Sequence, residues 1–415
     1  MKVLLLVNIL MPAQCVYFNK PIIPVGGWIE GLMWGFNGSD VDLLICTPTP
    51  NVKEEVFFEQ DNIGYIAVPS NDLENRFKAT LERHKPDLIH IFGTEMKHSL
   101  QMLRVADTRR TMVQIQGLAF EYGQLFLSGL PAQFQLQKSK KERVAKKRGM
   151  GSAFSQQLQL EQAGKDEKEA LSLSRHVLGH TSWDKTWSAQ LAPQARYHSF
   201  PETLRREFYS GKWTWENCRP YSIFVSQAAS PIKGFHMLMQ ALPGLVSDFP
   251  DTHVYVSGFY PHSGILSRFD YYNFLIDELR QNGLLDHVSF LGVLPPKEMK
   301  KQYLASNVFA SCSIIENESN SVSEAKILGT PVVASYVGGV VDRIEDGIDG
   351  LFYPFNQPNM LREKIATIFR DPQFAQSLSR NAQKNARKLN DSPKAMQEVL
   401  TIYRAVLSEA NHQEN

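Results

Sequence analysis

Two glutamates, Glu316 and Glu324, are separated by seven residues in the stretch from Ser311 to Gly339, SCSIIENESNSVSEAKILGTPVVASYVGG. Between them Asn320, Ser321 and Val322 stand where a helix is expected to begin, and Gly329 and Pro331 are expected to end it. The first turn of a helix carries backbone N–H groups without intrahelical partners, together with the positive end of the helix dipole. Such a turn suits phosphate or sugar oxygens. Lys233-Gly234 lies before another expected helix. A lysine there can meet a diphosphate as a compact cation, and the glycine lets the backbone approach. Gly26-Gly27, after the first β-rich run, offers the same close approach. Each feature also has an ordinary reading. Ser321-Val-Ser-Glu324 is a capping box, Glu316 is a loop carboxylate in water, and Gly26-Gly27 is a tight turn.

The elements that must position these residues alternate along the chain. β-rich runs at Lys2–Ile9, Val41–Thr47, Ile63–Val68, Asp87–Phe92, Met112–Gln116 and His176–His180 are interleaved with helical patterns such as Asn71–Lys85. The pattern repeats at Tyr221–Ser226, His253–Gly258, Val288–Leu291, Asn307–Ser311, Pro331–Ser335 and Gly350–Tyr353. Alternation of this kind predicts parallel sheets covered on both faces. Two such halves predict an α/β protein of two Rossmann-like domains facing one cleft, with ligands at the carboxyl ends of the strands. The link falls near Glu202–Cys218, and the last helix is expected to start with Ser392 as N-cap and Pro393 at its first position.

The Glu316 stretch resembles the E-x7-E signature of the retaining, nucleotide-sugar-dependent glycosyltransferases of family four. The matching residues are Glu316, Glu324-Ala325, Gly329-Thr-Pro331-Val-Val-Ala-Ser335 and the Val337-Gly338-Gly339 tail. The Asn320-Ser321 pair and this tail are similar to a bacterial surface-polysaccharide subgroup. The resemblance implies the GT-B fold, with an acceptor-side domain over 1–205, a nucleotide-sugar-binding domain over 206–385 and a helical segment over 386–415 crossing back to the first. It implies a donor site of Gly26, Gly27, Ser226, Lys233, Asn320, Ser321, Val322 and Glu324. Glu324 would hold the ribose, Glu316 the sugar, and Lys233 the diphosphate, so that Glu316 and Lys233 are the catalytic candidates. The co-substrate would be a nucleoside-diphosphate sugar, with no other cofactor, and the acceptor a glycan or lipid-linked molecule. A nucleotide-sugar epimerase and a non-catalytic sugar-nucleotide-binding protein on the same fold are the alternatives. The chain departs from the family pattern at two places. Gln116 stands where a histidine is common, and a glutamine cannot carry a proton. Gln227 stands where an arginine is usual. His90 and Gln116, at strand ends, are the acceptor-side candidates, although His90 can also be a core histidine. Val177-Leu-Gly-His-Thr-Ser-Trp-Asp184 and Pro201–Arg205 resemble segments near the family's interdomain link, and no role is assigned to His180.

Length and composition exclude several classes. The 415 residues suffice for two sizeable cores, and 43% hydrophobic with 21% charged residues is an ordinary globular mix. A net charge of +1 does not imply a polyanion-binding protein. Cys15, Cys46, Cys218 and Cys312 lack metal-like or disulfide-like spacing, which suits a reducing cytoplasm. The opening Met1-Lys-Val-Leu-Leu-Leu-Val reads as a buried first strand, and no run reaches the length of a membrane span. Asp40-Val-Asp42 opens a strand instead of closing one, so no catalytic metal is expected. The run Lys138–Arg148, KSKKERVAKKR, holds seven basic residues and one acid. It reads either as a solvated face or as a contact with the anionic inner face of a membrane, helped by Phe126, Leu127, Leu130 and Phe134 as shallow anchors. No nucleic-acid recognition module accompanies it.

Overall fold

The computed structural model describes residues 1–22, 27–36, 38–132, 134, 152–258 and 270–412. The chain divides into two compact units. The first comprises Met1–Phe120, Leu160–Thr203 and Asp391–Asn415, and the second Glu121–Gln159 and Leu204–Asn390.

The first unit is built on a sheet of eight strands: β1 (Lys2–Leu6), β2 (Asp42–Thr49), β3 (Val56–Gln60), β4 (Ile63–Pro69), β5 (Leu88–Phe92), β6 (Thr111–Gln114), β7 (His176–Gly179) and β8 (Arg196–Ser199). Their order is β3-β4-β2-β1-β5-β6-β7-β8, and every pairing is parallel except β3 with β4. Both faces of the sheet are covered, which is why its strands read as near-continuous apolar runs. Val3, Leu5 and Val7 point into one core with Ile29 and Leu32 of the Gly27–Gly35 helix and Phe36 just beyond it. Leu4 and Leu6 point into the other with Phe77, Leu100 and Met102. The C-terminal helix, Ser392–His412, packs on the first of these cores through Met396, Val399, Tyr403 and Val406.

The second unit carries six strands: β9 (Ser222–Val225), β10 (His253–Ser257), β11 (Val288–Gly292), β12 (Val308–Ser311), β13 (Val332–Ser335) and β14 (Leu351–Tyr353). They run parallel in the order β11-β10-β9-β12-β13-β14. The chain leaves β9 towards β10 and leaves β12 towards β13, so the strand order reverses between β9 and β12. A crevice opens at the carboxyl ends of strands at such a point, and ligands bind there. Beneath it Phe224, Tyr303 and Phe309 pack edge to face.

Several elements differ from the sequence-based expectation. A short helix, Pro12–Tyr17, lies between β1 and the glycine pair. Strands β3 and β8 were not expected. The former is an edge strand joined to β4 by Asp61 and Asn62, both in the left-handed region, the geometry of a two-residue hairpin turn. The last helical region is broken. One helix ends at Leu389 and the next begins at Ser392, capped not by Ser392 but by Asp391, whose carboxylate accepts the Lys394 N–H at 3.2 Å. Phe126, Leu127, Leu130 and Phe134 are buried, and Phe134 packs on Phe274 at 5.3 Å. They are committed to the second unit's interior and are not available as membrane anchors. The basic run 138–148 lies outside the described residues. Among the described residues no helix is long and apolar enough to cross a membrane.

Candidate functional site

The site occupies the carboxyl ends of β9 and β12 in the second unit. Ser226 directly follows β9, and its Oγ donates to Ser321 Oγ at 2.9 Å in the first turn of the Asn320–Leu328 helix. Its carbonyl accepts from Ser257 Oγ at 2.7 Å, which fixes the β9 end against β10. Lys233 stands in a single turn of 3-10 helix, Pro231–Lys233, and its Nζ lies 2.6 Å from Glu316 Oε2. Ser313 Oγ donates to the same carboxylate oxygen at 3.1 Å. The two loops are held together by the Ile314 N–H, which donates to Ile232 O at 2.8 Å. Val225, Ser226, Gln227, Lys233, Glu316 and Ser321 line one cavity.

Two glycines permit this approach. Gly234 has φ +64°, and a Cβ there would lie 1.9 Å from Cys312 O. Gly338 has φ +49°, and its Cβ would lie 2.0 Å from Glu316 O. Gly339 N–H then donates to that Glu316 carbonyl at 3.0 Å. Any other residue would have to push the Glu316 loop away, because both obstacles are backbone atoms.

The Asn320–Leu328 helix settles the role of its own glutamate within the fold. Its N-cap is Ser319, with no side-chain capping bond. Glu324 therefore sits in the helix interior, past the position from which a capping-box acid reaches back, and the capping-box reading does not hold. The Glu324 carboxylate is 3% exposed, and its Oε1 takes bonds from Arg205 Nε at 2.8 Å and Nη2 at 2.6 Å. Tyr303 Oη donates to Ser321 O at 3.2 Å and lies 3.5 Å from Glu324 Oε2. Burial pushes Glu324 up to about 7 against the opposing pull of Arg205. At the helix start, Val322 N–H is taken by Ser319 O at 3.0 Å. Among the described residues, the open backbone donors of the first turn are the N–H groups of Asn320 and Ser321. Asn320 Oδ1 is buried there with no hydrogen-bond partner among the described residues. Behind the site Lys326 pairs with Asp349 at 2.7 Å, both essentially buried, and Arg343 pairs with Glu318.

The structure thus brings Ser226, Lys233, Glu316, Asn320, Ser321, Val322 and Glu324 together at one end of one sheet. Sequence reasoning missed Arg205, Tyr303 and Ser313, whose partners are set by tertiary packing. Gln227 is exposed beside Lys233, so no arginine supplies a second phosphate contact at that position. Gly26 lies outside the described residues, and Gly27 opens the Gly27–Gly35 helix of the first unit.

The acceptor-side candidates separate. Gln116 is half-buried just beyond β6. His90 is fully buried inside β5, with Nδ1 2.6 Å from Tyr403 Oη and Nε2 2.9 Å from Gln114 Oε1. Burial holds its pKa down to about 3, so it is a neutral core histidine with both nitrogens engaged, and the core reading replaces the strand-end one. Gln114 Nε2 donates on to His180 Nε2 at 3.0 Å, and His180 Nδ1 faces Phe200 O at 3.0 Å. The Thr181–Asp184 segment is a reciprocal cap for the Ser182–Leu191 helix.

Residues 205–386 match the family described as glycosyl transferases group 1. The D-inositol 3-phosphate glycosyltransferase of Corynebacterium glutamicum (strain R) is 28% identical over 181 residues, 44% of this chain and 42% of that protein. The chain spans about half the length of the curated relatives it matches. Among solved structures, sucrose-phosphate synthase from Thermosynechococcus elongatus superposes with a TM-score of 0.70 at 17% identity, covering 98% of this chain and 99% of that one. Anabaena Alr3699/HepE in complex with UDP-glucose gives 0.65 at 17% identity, covering 98% and 100%. The fold class is GT-B, shared with these structures.

Proposed function

We propose that the protein is a retaining glycosyltransferase that moves a sugar from a nucleoside-diphosphate sugar to a glycan or lipid-linked acceptor. The observation that carries this reading is the Lys233–Glu316 pair at 2.6 Å, set beside the open first turn of the Asn320–Leu328 helix at the strand-order reversal. A cation and free N–H groups converge where a departing diphosphate would gather charge, and stabilising that charge is the main catalytic task in such a transfer. Lys233 and the Asn320 and Ser321 N–H groups hold the diphosphate. Glu324, oriented by Arg205, accepts from the ribose hydroxyls, and Glu316 accepts from hydroxyls of the sugar. No metal and no further cofactor enter this scheme. HepE was crystallised with UDP-glucose, which makes a uridine donor the first to test. The name of the Corynebacterium relative adds phosphorylated inositol to the acceptors worth testing beside surface-polysaccharide precursors. The run Lys138–Arg148 is proposed to bring the protein to the anionic inner face of a membrane by charge alone.

A panel of nucleoside-diphosphate sugars, read by thermal stabilisation and by slow hydrolysis without acceptor, tests the reading. One donor is expected to stabilise the protein and to be hydrolysed with release of the α-anomer from an α-linked donor. Recovery of an epimerised donor would make the protein an epimerase, and stabilisation without turnover would make it a sensor.

A further inference from the structure

The peptide group that joins Glu316 to Asn317 is gripped at both ends. Its carbonyl accepts from Gly339 N–H at 3.0 Å. Its N–H donates to Tyr122 Oη at 3.2 Å, from a side chain 195 positions away in the sequence. In a trans peptide the C=O and the N–H point in opposite directions, so the two partners hold the group from opposite sides. Held in this way it cannot swing about its Cα–Cα axis. That fixes the backbone of Glu316, and with it the direction in which the Glu316 side chain sets out towards Lys233. Asn317 is fully buried, which shields the Tyr122 bond from water.

Tyr122 lies in the short helix Ala119–Leu125 that follows β6. From Glu121 to Gln159 the chain is part of the second unit, the unit that carries Lys233 and Glu316. The same segment reaches the other catalytic candidate. Ser128 O lies 3.1 Å from Nε2 of His236. His236 is the second residue of the Phe235–Asp248 helix, which begins directly after Lys233-Gly234. Burial holds the pKa of His236 down to about 4, so the ring is neutral. A carbonyl can only accept, so the proton is on Nε2, and Nδ1 accepts from Tyr271 Oη at 3.0 Å. Residues 122–128 thus touch both the chain just past Glu316 and the helix just past Lys233.

We propose that Tyr122 is a positioning residue for Glu316, holding its carboxylate in register with Lys233 during sugar transfer. The inference rests on the roles proposed above for Glu316 and Lys233. Tyr122 acts through the Glu316–Asn317 peptide and not on the substrate. A small rotation of that peptide is carried to the end of the Glu316 side chain, where the 2.6 Å contact with Lys233 is made.

Tyr122→Phe keeps the ring and removes the acceptor. Competitive reductive methylation of the whole chain, read lysine by lysine in a mass spectrometer, measures how firmly Lys233 is paired and needs no substrate. Lys233 should react roughly two- to tenfold faster in Tyr122→Phe than in the wild type, the range that one hydrogen bond supplies. Lys326, buried against Asp349 in the same unit, should not change. Glu316→Gln should release Lys233 outright, and adding Tyr122→Phe to it should bring no further gain. Hydrolysis of UDP-glucose should lose turnover by a similar factor in Tyr122→Phe without a rise in KM. Lys233 reactivity equal to that of the wild type overturns the proposal. So does a rise shared by Lys326, which would make Tyr122 a general brace of the fold, or a further gain in the double variant, or turnover that Tyr122→Phe leaves unchanged. A wild type that hydrolyses no nucleotide sugar would end the glycosyltransferase reading, and the labelling would still decide whether Tyr122 sets the pair.

Discussion

Replacing Glu316 by glutamine should tighten the binding of a nucleoside diphosphate while it lowers turnover. Lys233 does not wait for a phosphate, since its ammonium lies on the Glu316 carboxylate at 2.6 Å. A diphosphate must take Lys233 from that partner. The side chains are 29% and 13% exposed, which sets the pair between a surface bridge of about 0–1 kcal/mol and a buried one whose rupture costs about 3–5 kcal/mol. About 1–2 kcal/mol is the resulting competition. Glu316→Gln removes the charge but keeps an oxygen for Ser313, so nucleoside-diphosphate affinity should rise roughly five- to thirtyfold. Lys233→Ala should lower it, by roughly 1.5–3 kcal/mol for a lost charge-assisted contact. In the double variant Glu316→Gln should bring no gain, because no lysine remains to be released. Titration calorimetry of the four proteins with UDP, together with donor hydrolysis rates, completes the cycle. If Glu316→Gln weakens UDP as much as Lys233→Ala does, the two side chains act as a preformed unit, and the competition argument is wrong.

Glu324→Gln should weaken nucleoside-diphosphate binding by roughly 1–2 kcal/mol at pH 8 and by much less at pH 6, since a carboxyl raised to about 7 is charged only above that value. A calorimetric pH series that leaves the wild type and the variant parallel would remove Glu324 from the ribose contact. The same raised value means that the folded state binds the extra proton between about 4.5 and 7. Wild-type stability should therefore fall relative to Glu324→Gln as pH rises through that window, by at most roughly 3 kcal/mol, read from denaturant midpoints. Gly234→Ala must place a methyl on the Cys312 carbonyl at a positive φ. A left-handed alanine alone costs about 1–2 kcal/mol, so the melting temperature should drop and Lys233 should lose its register with Glu316; an unchanged melting temperature and unchanged UDP affinity would contradict the geometry. Activity should persist in excess chelator, and loss that Mg²⁺ or Mn²⁺ restores would show a metal requirement. Changing Lys138, Lys140, Lys141, Lys146, Lys147 and Arg148 to glutamine should abolish salt-sensitive binding to anionic vesicles; unaltered binding would leave the run a solvated face.

The parts of this architecture that local pattern can carry were legible. Apolar runs of four to six residues separated by helical periods placed β1, β5, β9, β12 and β13, and Gly329 marked the end of the Asn320–Leu328 helix, where it adopts a left-handed φ of 86°. The Glu316 loop, its helix and the Val337–Gly339 turn read as one unit because all three are consecutive in the chain. What was illegible depends on order across the sheet. Lys233 reaches Glu316 across 83 positions because β9 and β12 lie side by side, and Arg205, in the segment before β9, reaches Glu324 across 119. His90 sits in the apolar run Leu88–Phe92, which marks it as buried, but the partner that settles its role, Tyr403, is 313 residues away. Strand β3 had a local signal that went unread. Gln60-Asp61-Asn62-Ile63 is a two-residue hairpin turn, hidden because an exposed edge strand lacks the apolar pattern of its neighbours.

The helix Ser392–His412 has a bearing on how the chain comes into being. It is synthesised after the rest of its unit, yet Val399, Tyr403 and Val406 are interior side chains of the core that contains Val3 and Leu5 of β1. Tyr403 also supplies a hydrogen-bond partner of buried His90. Until those residues leave the ribosome, one face of the β1–β5 sheet stays wet and His90 lacks that partner. The second unit, whose segments all precede Asp391, can close first. The unit whose strands are made earlier is therefore the one whose core is completed later, the reverse of the usual order in multidomain chains.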